Sequence, residues 1–108
     1  MPYIDNMVEP IVLKDHIEYS QGSVVSKTLK QNPAGTITLF AFDAGQGLSE
    51  HSAPFDAVVQ VIEGKGNFVI GGEDHELIEG QMIIMPANVP HAVKAERKFK
   101  MLLTMLRA

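Results

Sequence analysis

The chain is cut into short pieces. Apolar, β-branched runs of about four to eight residues recur at intervals of roughly 8 to 12, with glycine- or proline-containing turns between them. The turns read Gln21-Gly22-Ser23, Gln31-Asn32-Pro33-Ala34-Gly35, Asp43-Ala44-Gly45-Gln46-Gly47, Glu63-Gly64-Lys65-Gly66, Gly71-Gly72-Glu73-Asp74 and Glu79-Gly80, followed by stops at Pro86 and Pro90. No helix of ordinary length fits between such breaks. The spacing predicts an all-β sandwich or barrel.

The runs support that frame. Val24–Lys30 is β-branched and roughly alternating, and Thr36–Phe42 alternates before turning apolar on both faces. Ala57–Ile62 and Asn67–Ile70 follow, with the Glu63–Gly66 turn between them. The Gly71-Gly72 pair predicts a hairpin back into His75–Ile78. Gln81–Met85 and His91–Ala95 are the next strands, and Ile11–Leu13 is a candidate short edge strand. Phe99–Leu106 holds good helix formers, but its place in a chain of short strands assigns it to β. Asp43–Gly47 is no phosphate-binding loop, since it has neither the glycine pattern nor a helix after it.

At 108 residues the chain is one domain. It is expected to bury between about 60 and 70 per cent of its unfolded surface. Residues 1–35 read as an N-terminal arm with the first strands, and 36–106 as the barrel proper. A net charge of −4 and a single short basic cluster, Arg97-Lys98 with Lys100, argue against a nucleic-acid partner. No apolar run approaches the roughly 18 residues of a membrane span, so no membrane partner is expected. There is no cysteine, which removes disulfides, thiolate metal sites and cysteine nucleophiles. Met1–Asp5 lacks the basic and apolar regions of a signal peptide. The expected location is the cytoplasm.

Two stretches share a design. Gly45 to Gly64 holds a glycine turn, His51, the break at Pro54, an apolar run and a second glycine. Gly80 to His91 holds a glycine, an apolar run, Pro86, Pro90 and a histidine. Both histidines are read at strand starts, and if the two strands are neighbours both imidazoles face one pocket. These stretches resemble the two signature motifs of the cupin superfamily. The first, G-x5-H-x-H-x3,4-E-x6-G, is matched by Gly45, His51 and Gly64, with Ala53 at the second histidine position and Ala57 at the glutamate. The second, G-x5-P-x-G-x2-H-x3-N, is matched by Gly80, Pro86 and His91, with Asn88 at the glycine and Ala95 at the asparagine. The resemblance implies an antiparallel jelly-roll barrel. It also implies one divalent transition metal (zinc, iron, manganese, nickel or copper) held by three histidines and a glutamate. Here Ala53 and Ala57 have no donor atom, so two of the four ligands remain.

The residues leave substitutes open. Strand alternation puts positions 51, 53, 57 and 59 on one face, so His51, His91, Ala53, Ala57 and Val59 are the candidate pocket lining. Asp56 is one residue out of phase, but the break at Pro54 allows it to turn inward and supply a carboxylate. Gln60 is the other candidate, although its phase with Val58 and Ile62 points it away. Met82, Met85, Met101 and Met105 carry thioethers that suit copper(I) but serve more commonly as core filler. His16 and His75 read as surface residues.

Ala57–Ile62 is apolar on both faces, so its outer face, Val58 and Ile62, needs a cover. The resemblance implies a homodimer packed sheet to sheet, with the arm crossing over. Three functions are compatible with this sequence. One is a barrel that binds a small-molecule ligand without catalysis. Another is a metal-dependent enzyme of dioxygenase, isomerase or decarboxylase type, with the metal on His51 and His91 and with Asp56 or the substrate itself completing the shell. The last is a non-catalytic dimeric scaffold.

Overall fold

The structure is a computed structural model, and it describes residues 8–107. Eight strands follow one 3-10 turn at Leu13–Asp15: β1 Val24–Asn32, β2 Gly35–Phe42, β3 Gly47–His51, β4 Phe55–Ile70, β5 Glu73–Ile78, β6 Met82–Met85, β7 His91–Lys94 and β8 Phe99–Arg107. The edge strand expected at Ile11–Leu13 is absent, and the chain turns there instead. Phe99–Arg107 is a strand, as its context required.

All pairings are antiparallel, and the sheet order is β1-β2-β8-β4-β7-β3, with β5 and β6 also paired to β4. The sheet curls because β4 belongs to both walls. Its first part, Phe55–Gly64, lies between β8 and β6; its second part, Lys65–Ile70, lies between β5 and β7. The expected break at Glu63–Gly66 is therefore a bend within one long strand. A register shift between Val61 and Glu63 loosens the ladder there. Gly64 takes φ +79°, and a Cβ at that position would lie 2.7 Å from the Lys98 carbonyl oxygen. A glycine is thus needed to turn the strand without breaking it.

The bend forms the closed end of the barrel. Phe42, Phe68 and Phe99 are fully buried there; Phe42 stacks on Phe99 at 4.7 Å, and Phe68 meets Phe99 edge-on at 6.0 Å. Inward alternation then runs along β4 as Val61, Val59 and Ala57, all buried, facing Met85 and Val93 in the same core. Toward the other end the inward residues Ile83, Leu103 and Met105 are only partly buried, so this end is the open mouth.

The outer face of the first wall has its own cover. Ile17 packs with Leu39 and Ala41, and Leu13, Tyr19 and Ile62 close around them. The Tyr19 hydroxyl donates to Glu63, and the Lys100 ammonium donates to the Lys14 carbonyl. The described part of the arm thus folds back on its own sheet, and Ile62 is covered from within the chain. Met82, Ile84 and Leu106 remain about half exposed on this wall.

Candidate functional site

Both ends of β4 reach the mouth. His51 ends β3, four residues before Phe55, and His91 opens β7 opposite Ile70. The two histidines are register partners. His51 is therefore at a strand end rather than a strand start, but the expected meeting of the two rings occurs.

A bulge makes it occur. Leu48 pairs with Val93 and His51 pairs with His91, so three steps on β3 oppose two on β7. Val93 and Leu48 face the core. Regular alternation would put His51 on the opposite face from Leu48, and the extra residue turns it back. The ring centroids of His51 and His91 lie 4.4 Å apart at 68°.

The second motif's loop is tied to the first. The Asn88 backbone N–H donates to the Ala53 carbonyl at 2.8 Å, and the Gly71 N–H donates to the Pro90 carbonyl at 2.8 Å. Asn88 stands at φ 66°, the left-handed conformation that explains a glycine at this place in the motif.

Backbone carbonyls set the tautomers. Nδ1 of His51 contacts the Ser49 carbonyl at 2.7 Å, and Nδ1 of His91 contacts the Val89 carbonyl at 3.2 Å. A carbonyl only accepts, so in each neutral ring the proton sits on Nδ1 and Nε2 keeps its lone pair. His91 is buried and His51 is exposed at the mouth. Burial pushes the His91 pKa below its ordinary value, and the neighbouring His51 adds to this against the Val89 carbonyl. The pair can offer two acceptor nitrogens.

The other expected site residues fall into two groups. Ala57 and Val59 face inward with the histidines' core; Ala57 is flanked in register by Met85 and Met105, and Val59 by Ile83 and Leu103. Ala53 is partly buried in the link between β3 and β4. Asp56 does not turn inward: it is exposed, and its Oδ1 accepts from the Ala87 N–H at 2.9 Å. Gln60 is exposed, between the buried Val59 and Val61 and so on the opposite face.

This decides how the site fits the metal shell that the motifs imply. Among the described residues, no three His, Cys, Asp or Glu side chains come together in a way that would hold a metal ion. Two imidazoles supply two of four ligands, and neither Asp56 nor Gln60 completes the set. The residues present do not fit the four-ligand site.

The strand pairing adds two residues that sequence reasoning did not select. Phe55 pairs with Arg107 at the mouth end of the first wall. Both continue the inward phase, Phe55 with Ala57 and Val59, Arg107 with Met101, Leu103 and Met105. The Arg107 guanidinium lies 4.8 Å from the centroid of the Phe55 ring. With Gly35, Thr36 and Met105 they line a small cavity at the rim. The alternation of the last strand was the available signal for Arg107, one residue beyond the run assigned from sequence.

Comparison with known proteins agrees with this fold. The cupin domain family model matches residues 38–106. A conserved Streptococcus pyogenes protein of unknown function is 36% identical, with 100% of this chain and 96% of that one covered and a TM-score of 0.91. A conserved-barrel cupin 2 domain protein from Leptotrichia buccalis is 40% identical, over 88% of this chain and 46% of that one, with a TM-score of 0.86. A cupin superfamily protein from Desulfitobacterium hafniense is 26% identical, over 96% and 95%, with a TM-score of 0.89. No curated protein matches the chain.

Proposed function

The chain belongs to the cupin family, and from that premise we propose that it binds a small molecule in the barrel mouth, with His51 and His91 as its polar contacts. The observation that carries this reading is the paired imidazoles, 4.4 Å apart, each with Nδ1 turned to a backbone carbonyl. With Nδ1 so engaged, Nε2 of each ring is the free acceptor, and Ala57, Val59, Met85 and Met105 belong to the apolar interior of the same barrel. Ligand pockets are commonly built this way, from apolar walls with a few placed polar groups. The two alanines deepen the apolar share of the cavity where the motifs usually place metal ligands.

The competing reading is a metal-dependent cupin enzyme with a divalent ion on the two histidines. Metal content separates the two. Protein purified without an affinity tag or chelator is expected to carry less than roughly a tenth of an equivalent of zinc, iron, manganese, nickel or copper. Stoichiometric metal that disappears in both His51→Ala and His91→Ala would establish the enzyme reading and end this one. Binding itself is read from the imidazole resonances of His51 and His91 during titration with small organic molecules.

The working unit in this proposal is a homodimer, with a second copy as the cover for the outer face of the first wall. Across β6, β4, β8 and β2 two register rows carry no charge, Ile84–Val58–Thr104–Ile37 and Met82–Gln60–Leu102–Leu39, and each ends on a β1 lysine, Lys30 beside Ile37 and Lys27 beside Leu39. A like copy laid on the β6 side of the wall, away from those lysines, meets no charge in these rows, and Met82, Ile84 and Leu106 supply the exposed apolar surface.

A further inference from the structure

We propose that the mouth selects an apolar molecule carrying a carboxylate, and that the Arg107 guanidinium pairs with that carboxylate at the rim. This rests on the pocket reading above and names the ligand class.

Arg107 is on the inner face of the first wall by phase and by its pairing with Phe55. The aromatic face beneath it, 4.8 Å away, holds the guanidinium at the rim. The guanidinium is exposed there and open to an anion from solution. Among the described residues none supplies one: the ion pairs are Lys65 with Glu76 and Lys100 with Glu63. Asp56, the acid beside Phe55, gives its Oδ1 to the Ala87 N–H instead. Arg107 is also anchored through its backbone, whose N–H donates to the Ala34 carbonyl at 2.9 Å. The rim cavity is otherwise lined by Gly35, Thr36, Phe55 and Met105. It adjoins a groove of about 190 Å³ that shares Gly35, Thr36 and Met105 and is also lined by Lys30, Ile37, Thr104 and Leu106, so that groove runs over the sheet edge toward the outer face. The hydrocarbon body of the ligand is assigned to the inward side chains Phe55 and Met105 at the rim.

Each imidazole turns its Nδ1 to a backbone carbonyl, so neither ring offers a carboxylate a pair of parallel donors. The Arg107 guanidinium does, and its fork suits the two carboxylate oxygens.

The test uses hexanoate and hexanamide, which share a body and differ in charge, titrated into the full chain. Calorimetry gives affinity, and imidazole NMR follows His51 and His91. Wild type is expected to bind hexanoate at least about tenfold more tightly than hexanamide. Arg107→Gln is expected to bring hexanoate down to the level of the amide and to leave the amide unchanged. Arg107 is exposed, so this variant should melt with wild type. Equal binding of the two probes to wild type overturns the proposal, as does an unchanged hexanoate preference in Arg107→Gln. If the amide moves the histidine resonances and hexanoate gains nothing, the pocket stands and the carboxylate assignment falls. If neither probe moves them, the pocket reading falls and takes this inference with it.

Discussion

His91 is buried at the mouth with the exposed His51 ring set against it edge-on, 4.4 Å between centroids. The His51 ring thus stands against the one imidazole of the pair that is withdrawn from water. Burial lowers the His91 pKa from its ordinary 6.5, and His51 lowers it further while the Val89 carbonyl works in the opposite sense.

The sign of the resulting pH dependence follows directly. An unfolded chain protonates this histidine near 6.5, and the folded chain only at lower pH. Between those values the unfolded state holds more protons, so stability rises with pH. The contribution is complete above the unfolded value and is lost as pH falls through the folded one. Urea unfolding of wild type should therefore show a falling midpoint from about pH 7 to about pH 5. His91→Gln should have a flatter profile over the same window. A wild-type midpoint that rises on acidification, with the variant unchanged, would contradict the assignment.

The bulge in β3 is a second point of leverage. It sets three steps of β3 against two of β7 and puts His51 on the inner face. Deleting Glu50 should leave two steps on each strand between the Leu48–Val93 and histidine pairs, so the ladder becomes regular and the histidine stays on the inner face opposite His91. The expected readout is a retained through-space NMR contact between the two rings, with slower amide hydrogen exchange along β3. Loss of the contact would mean that the bulge itself, rather than the register with His91, orients the ring.

That bulge also marks the limit of what the sequence discloses. Turn residues and alternation were enough to place most strands, because glycine, proline and β-branched side chains act locally. The pairing of His51 with His91 was legible from the two motifs. The phase of His51 was not, since a bulge depends on the partner strand. The Glu63–Gly66 segment looked like a chain break, because a glycine with φ +79° serves a bend as well as a turn. Asp56 was drawn toward the site by its proximity in sequence to Pro54; an N–H from the β6–β7 loop holds it outside. Arg107 stayed hidden because its meaning comes from Phe55, which lies beside it only once β4 and β8 pair.

The arm is held by a small polar cluster. The Tyr19 hydroxyl donates to Glu63, Lys100 reaches the Lys14 carbonyl, and the ammonium groups of Lys98 and Lys100 lie 5.3 and 4.9 Å from the Tyr19 ring centroid. Burial raises the Tyr19 pKa, with Glu63 adding to it, so the phenol stays protonated and remains a donor. Tyr19→Phe keeps the ring and removes the hydroxyl. It should cost about 1 kcal/mol in unfolding free energy and speed hydrogen exchange of the Asp15 and His16 amides, which close the 3-10 turn. Lys100→Met keeps the aliphatic stem but leaves the Lys14 carbonyl without its donor, and should loosen the same amides. Unchanged exchange in both variants would show that Ile17 burial alone holds the arm.

The outer face of the first wall gives the test of assembly. The arm covers Ile62 but leaves Met82, Ile84 and Leu106 half exposed. Ile84 sits opposite Val58 in register, in a row that is uncharged from β6 to β2 and reaches Lys30 only on β1. A second copy laid on this row would bury it. Ile84→Glu places a carboxylate in the row without touching the core, since Ile84 already faces outward. Light scattering of wild type at micromolar concentration is expected to give twice the chain mass. The variant should give the monomer mass, with dimer dissociation at least about tenfold weaker in affinity and an unaltered far-ultraviolet circular dichroism spectrum. Wild type that is monomeric under these conditions would remove the dimer from the proposal. A variant that stays dimeric would move the interface to another face.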